Sequence, residues 1–340
     1  MSSLSAHYTR IQPVSTLLVV RGEPVLLLPE LVKRWGITHV VFERDPCGYA
    51  ARRDSEVLKL MKEQGVEVLS KNGHYLYDPE EIAKKHGAKP VTSMSQLQKV
   101  ISGMPAPPQA FETPTSLPAP LPQGEKEGKD LKGILAQLAK SLEGMKAYKD
   151  HPGAPDFDLN SQKQNDGQRT DPLYCYDTVQ GEPDGKAIFQ VPTLESLGMN
   201  PEKAGVSPES AVPGGEDEAL KRLGGYVNEK ASYLATFAKP KTSPSTDFAN
   251  VSTTLMSPYL KFGCMGIRRL WYDVRKAIKE AKASGKTSIP ENYEGQLLFR
   301  EMYAAAEVAV GAEKFGKVEG NSLSRYVGSS PGARSLSSFG

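Results

Sequence analysis

Seven prolines fall within residues 104–123 (MPAPPQAFETPTSLPAPLPQ), and no other feature limits the fold of this chain as much. Each proline removes a backbone donor and breaks a helix, so this stretch reads as extended and solvated. Polar sequence returns between Asp150 and Pro183 (NSQKQNDGQRTDP within it) without apolar periodicity. One helix is expected inside the linker, where Leu131, Ile134, Leu135, Leu138, Leu142 and Met145 share a face. A chain of 340 residues divided in this way must build two cores. The expected organisation is an α/β domain over 14–103, a linker or insertion over 104–188, a helical domain over 189–328 and a patternless tail over 329–340.

In the first part, short apolar runs alternate with helical periodicity. The run 16–20 (TLLVV) predicts a strand closed by Arg21 and Gly22. Pro29 suits a first helical turn, with Leu28, Leu31, Val32 and Trp35 on one face and Gly36 as a left-handed stop. A second strand is predicted over 38–43 (THVVFE), and a helix opened by Asp54 over 55–64, ended by Gly65. A third strand follows over 66–69. Strands separated by helices imply parallel pairing, because parallel neighbours need a crossover. The fold class is therefore an open, incomplete parallel α/β domain followed by an all-helical domain.

The helical part begins near Phe189. Thr193 and Gly198 bracket a short capped helix. A longer helix is predicted over 216–234, where Leu220, Leu223, Val227 and Leu234 repeat at helical spacing, and two more over 267–281 and 293–310.

Composition excludes several classes. Forty-two basic against forty acidic residues leave +2, so any nucleic-acid surface must be a local patch. Cys47, Cys175 and Cys264 lie too far apart for a disulfide framework or a zinc site, which suits a reducing compartment and no metal. No run approaches the ~20 apolar residues of a membrane span. The opening MSSLSAHYTRIQPVS lacks the order of a secretory signal, and its Ser-rich, acid-free character leaves an organelle transit peptide as the alternative. The turn Arg21-Gly22-Glu23 carries one glycine and no G-x-G-x-x-G word, which argues against a dinucleotide oxidoreductase.

The richest chemical cluster is 252–260 (STTLMSPYL). Hydroxyls at Ser252, Thr253, Thr254 and Ser257 precede a helix entered through Pro258. Free N–H groups at a helix start beside hydroxyls suit phosphate oxygens, and the same hydroxyls equally suit simple capping. Arg268, Arg269, Arg275, Lys276 and Lys279 form a basic flank, with Lys314 and Lys317 able to extend it; a solvated helix face explains it as well as a phosphate-facing one.

These words, with FAKPK (237–241), YEGQLLFREMY (293–303), VEGN (318–321), LLVVRGEP (17–24), FERDPCGYAARRD (42–54), GHYLYDPEEI (73–82) and PGGEDEALKRL (213–223), resemble the photolyase/cryptochrome flavoproteins in order and spacing. The likeness is to the (6-4) photolyase and animal-type cryptochrome branch, truncated at both ends. The resemblance implies an α/β antenna domain and a helical domain holding FAD. It implies FAD diphosphate contacts at Thr253, Thr254 and Ser257, further FAD contacts at Gln296 and Arg300, and a flavin candidate at Lys241. Gln296 and Arg300, four apart, share a helix face. Without the resemblance, Arg300 reads as an ion pair with Glu301 or a neighbouring helix. Phe299 stands where the family has a lesion-stacking tryptophan, and is a base-stacking or a core aromatic. Arg268 and Arg269 are the other DNA-contact candidates.

Departures from the pattern set further expectations. The family's opening strand and helix, and the helices that clasp the flavin ring, have no counterpart here. Light-driven repair or photoreception is expected to be impaired, with no catalytic residue assignable and any antenna pigment in doubt. The two tryptophans, Trp35 and Trp271, lie outside the family's relay region, and the histidines (His7, His39, His74, His86 and His151) lie outside the helical part and read as surface or loop residues. The expected compartment is the nucleus or cytoplasm, with DNA or a protein as partner. The alternative is a non-catalytic interaction product of a cryptochrome gene, whose uncovered apolar face would bind a protein.

Overall fold

The computed structural model describes residue 20 and residues 24–46, 48–112, 114–116, 212–238, 253–281 and 292–311. The linker helix over 131–145, the capped helix near Thr193, the tail and all but the last residue of the predicted strand over 16–20 lie outside the described residues, as do Lys241, Lys314 and Lys317.

Helix α1 spans Pro24–Trp35 and starts earlier than Pro29 suggested, carrying that proline inside. Pro29 gives up one helical hydrogen bond. The apolar sequence before it nevertheless continues the stripe, and Leu27, Leu31 and Val32 are buried. Gly36 ends the helix at φ +62°, the left-handed stop expected from the sequence. Strand β1 is His39–Glu43 and β2 is Glu67–Lys71. They pair in parallel with Val41 opposite Leu69, as the alternating pattern required.

Helix α2, Gly48–Glu63, provides the crossover between them. It begins well before Asp54, because Ala50, Ala51, Arg52 and Arg53 are good helix formers and Ala50 continues the buried stripe of Val57 and Met61. Asp54 is therefore not a cap; it sits inside the helix, buried, and accepts from Arg53 Nη2 at 2.7 Å. Val32, Val57, Met61 and Val66 make a small core beneath the two strands.

Two helices that periodicity left unassigned follow. Asp78 caps α3 (Pro79–Lys85), its Oδ1 accepting from the Glu80 amide at 3.0 Å. Ser93 caps α4 (Met94–Ile101), accepting from the Gln96 amide at 3.3 Å. Both bury their apolar sides in the larger core: Leu76, Ile82, Val91, Met94 and Leu97 pack in one cluster with residues of the helical part. The α/β and helical halves thus share a core that residues 76–97 help to build.

The single helix expected over 216–234 is interrupted. Helix α5 (Glu216–Gly224) gives way to a π-helical turn (Gly225–Glu229) and then to α6 (Ala231–Thr236). The Gly224-Gly225 pair, which favours helix least after proline, sits at the change. Helices α7 (Ser257–Lys261), α8 (Ile267–Glu280) and α9 (Tyr293–Val310) complete the described fold, the last two close to expectation. No described helix is long and apolar enough to cross a membrane. No cluster of metal-ligating side chains occurs among the described residues.

Candidate functional site

The hydroxyl turn runs from Thr253 into α7. Leu255 takes φ +51°, an uncommon conformation for a branched side chain, so the surroundings must hold the turn in place. Thr254 is buried, and its Oγ1 lies 3.3 Å from the hydroxyl of Tyr293, the first residue of α9. The Tyr226 hydroxyl donates to the Thr253 carbonyl at 3.4 Å.

Burial pushes the Tyr293 phenol up to about 12, so it remains a neutral donor at physiological pH. Phe237 meets Tyr293 edge-on at 5.4 Å, and Tyr233 meets Phe237 in the same way at 5.8 Å. Tyr226, Tyr233, Phe237 and Tyr293 thus form a run of ring contacts that ends at the Thr254 hydroxyl. Ser257 is exposed and Thr253 half-buried, while Gln296 sits one turn into α9, half-buried. Thr254 is the residue of the turn that meets α9, at the end that carries Gln296. Asn292 caps that end, its side-chain oxygen accepting from the Gly295 amide at 2.6 Å.

Arg300 has other partners. Its Nη1 donates to the His74 carbonyl at 2.5 Å, and its guanidinium lies 4.8 Å from the centre of the Tyr75 ring. It is also 3.9 Å from Glu301. The expected face is shared with Gln296, yet the guanidinium is engaged by residues 74–75 of the α/β half.

Glu301, named in the sequence only as a pairing partner for Arg300, is 0% exposed. Its Oε2 accepts from the Tyr77 amide at 3.1 Å. Burial raises its pKa to about 8, against the opposing pull of the Tyr77 amide and of Arg300. His74, read as a surface or loop residue, is half-buried, and desolvation, followed by Arg300, lowers it to about 4. The signal for this seam lay in GHYLYDPEEI, an apolar-aromatic loop leading into a capped helix.

Of the DNA-contact candidates, Arg268 donates to the Asn72 carbonyl at 2.9 Å and Arg269 to Asp273 at 2.5 Å. Arg275 pairs with Glu294 at 3.4 Å and covers the Trp271 ring at 5.1 Å, and Lys276 pairs with Glu280 at 3.9 Å. Much of the basic flank is thus neutralised within the chain. Phe299 stacks on Tyr303 at 6.3 Å and packs, partly buried, against the core, in keeping with the core-aromatic alternative.

Comparison with known proteins agrees with this fold. The family model for DNA photolyase matches residues 3–115. The chain is 30% identical to Cryptochrome-2 of Gallus gallus over 309 residues, covering 91% of this chain and 42% of that protein. It is 30% identical to Cryptochrome-1 of Mus musculus over 324 residues, covering 95% of this chain and 42% of that protein. Among solved structures, a bacterial class III photolyase from Agrobacterium tumefaciens superposes with a TM-score of 0.53 at 18% identity, covering 90% of this chain and 48% of that one. The structural likeness shows the fold. The chain spans less than half the length of these curated relatives. The matches thus show likeness to the DNA photolyase family model over residues 3–115 and to animal cryptochromes over most of the chain.

Proposed function

We propose that this chain binds FAD as the nucleotide-holding part of a photolyase/cryptochrome-type flavoprotein. The observation that carries the reading is the 3.3 Å approach of Thr254 Oγ1 to the Tyr293 hydroxyl, which joins the hydroxyl turn to the start of α9. Thr253, Ser257 and the neighbouring α7 amides would receive diphosphate oxygens, and Gln296 would donate from one turn along α9. The turn fits the group: exposed Ser257 and half-buried Thr253 stand beside the buried, tyrosine-bonded Thr254. Lys241 precedes this turn in sequence and would add positive charge. The partners of Arg300 favour a role in holding the α/β loop, with the nucleotide as a secondary contact. When bound, FAD supplies a blue-light-absorbing ring able to exchange electrons. The chain's own residues bind and orient the nucleotide end.

Photoreception or light-driven repair of DNA photoproducts, in the nucleus or cytoplasm, belongs to the same proposal. The test is titration of the purified chain with FAD, followed by flavin fluorescence. Saturable quenching that Ser257→Ala weakens and Gln296→Ala weakens further is expected. A wild-type chain that leaves flavin fluorescence unchanged would overturn the reading.

A further inference from the structure

The loop between β2 and α3 forms a self-closed strap. Asn72 Oδ1 accepts from the Tyr75 amide at 3.2 Å, and Asn72 Nδ2 donates to the Tyr77 carbonyl at 3.1 Å. Three side chains of the helical half grip this strap. Arg268 holds the Asn72 carbonyl, Arg300 the His74 carbonyl and Glu301 the Tyr77 amide. Two of these grips are guanidinium donors on carbonyls. The third is a carboxyl group at 0% exposure; its second oxygen, Oε1, accepts no hydrogen bond of normal geometry, and the Leu76 amide nearby favours the charged form only weakly against burial.

A buried carboxylate with one bare oxygen is costly, whereas the protonated acid is not. The nearest cation is Arg300, whose Nη1 stands 3.9 Å from Oε1 while it donates to His74. That separation is beyond hydrogen-bond length. Arg300 therefore faces two acceptors, and the charge on Glu301 decides between them.

We infer that Glu301 is a proton-operated latch: protonated, it keeps strap 72–77 docked on α9, and on releasing its proton to solvent it draws Arg300 off the His74 carbonyl and loosens the strap.

The surroundings support one dominant titration. From the strap, His74, Tyr75 and Tyr77 face the carboxyl region, and both tyrosines are pushed upward by burial, so they stay neutral. From the end of β1 comes Glu43, itself raised by desolvation, and from the loop after it Asp45. Helix α8 brings Arg268, Tyr272 and Arg275, and α9 brings Arg300 and Glu307, the latter also raised by desolvation. Helix α3 buries Pro79, Ile82 and Ala83, leaving Glu80, Glu81, Lys84 and Lys85 exposed; α4 buries Met94 and Leu97 and exposes Lys99.

The sign follows from linkage. The docked carboxyl titrates near 8 and the released one near the ordinary value of 4.5. Opening is therefore least favoured in acid, grows as pH rises toward 8, and levels above it. His74 works oppositely below its free value of 6.5, because the released strap takes up a proton that the docked one resists. The two slopes offset at acid pH, and the Glu301 slope remains between 6.5 and 8.

The experiment is hydrogen exchange of the peptide covering 72–78 in the full chain, corrected for intrinsic base catalysis. Protection is expected to fall about tenfold per pH unit between those limits and then level. Glu301→Gln, which retains the acceptor and carries no charge, is expected to hold protection flat. A flat wild-type profile, or a Gln variant with the wild-type slope, would overturn the latch. Should the variant not fold, carbon-13 titration of the Glu301 carboxyl in the wild-type chain decides. A midpoint above about 6 supports the latch, and one at or below about 6 refutes it.

Discussion

The contact that unites the candidate site can be measured by a double-mutant cycle on Thr254 and Tyr293. Both side chains are buried, at 7% and 5% exposure, and their hydroxyls lie 3.3 Å apart. Thr254→Val keeps the shape and removes one hydroxyl; Tyr293→Phe removes the other. Either single change strands a buried polar group, at a cost of about 1–3 kcal/mol. The double variant strands nothing, so its cost should fall well below the sum of the two. A coupling of about 1–2 kcal/mol is expected, within the range measured for contacting side chains. The assay is urea unfolding of the four proteins, with coupling taken from the midpoints at a common slope. Strictly additive costs would mean that the hydroxyls do not meet, and the join between the hydroxyl turn and α9 would be lost. Flavin titration of the same four proteins adds a second reading, because Thr254→Val should weaken binding more than Tyr293→Phe if the threonine lies on the nucleotide side.

Three further outcomes are expected. Leu97→Ala, at a 0% exposed site where α4 meets the helical core, should cost about 2–5 kcal/mol in urea unfolding; a loss below about 1 kcal/mol would contradict the shared core. Gly65 has φ +71° with open space where a Cβ would stand, so Gly65→Ala should cost about 1–2 kcal/mol through the backbone alone, and an unchanged midpoint would argue against the left-handed turn. Desolvation holds the His74 pKa near 4, below its ordinary 6.5, so the unfolded chain takes a proton that the folded chain refuses and stability falls as pH drops through that window. His74→Gln should flatten this fall in urea midpoints, and a slope unchanged by the variant would place its cause elsewhere.

What could be read from the residues themselves was mostly local. Helices α8 and α9 and the parallel strands announce themselves by spacing, because each satisfies its own backbone and needs only one apolar face. The reading of α2 from Asp54 failed at the level of the cap. Aspartate caps a helix only when its backbone leaves the helical conformation, and here the preceding alanines and arginines carry the helix past it. The break after α5 hinges on two consecutive glycines, which periodicity in the leucines conceals. Helices α3 and α4 are short, and their assignment needs the partner core that residues 82–97 meet in the helical half.

Within the site, the same distinction separates Gln296 from Arg300. One turn apart on a single helix, they invite a common ligand, and spacing alone supports it. A guanidinium on a long side chain reaches whatever acceptor lies along its path, and here the His74 carbonyl arrives from an element more than two hundred residues away in the sequence. The short hydroxyls of the 253–257 turn have no such reach, so the fold of the turn itself determines where they act. Sequence position therefore fixes where the short hydroxyls lie more directly than it fixes what the arginine meets. By the same reasoning Glu301, read from the sequence only as a pairing partner for Arg300, becomes consequential only when strap 72–77 closes over it and removes it from water. A proton-sensitive joint of this kind has no sequence word of its own, because its chemistry is made by burial supplied from the other half of the chain.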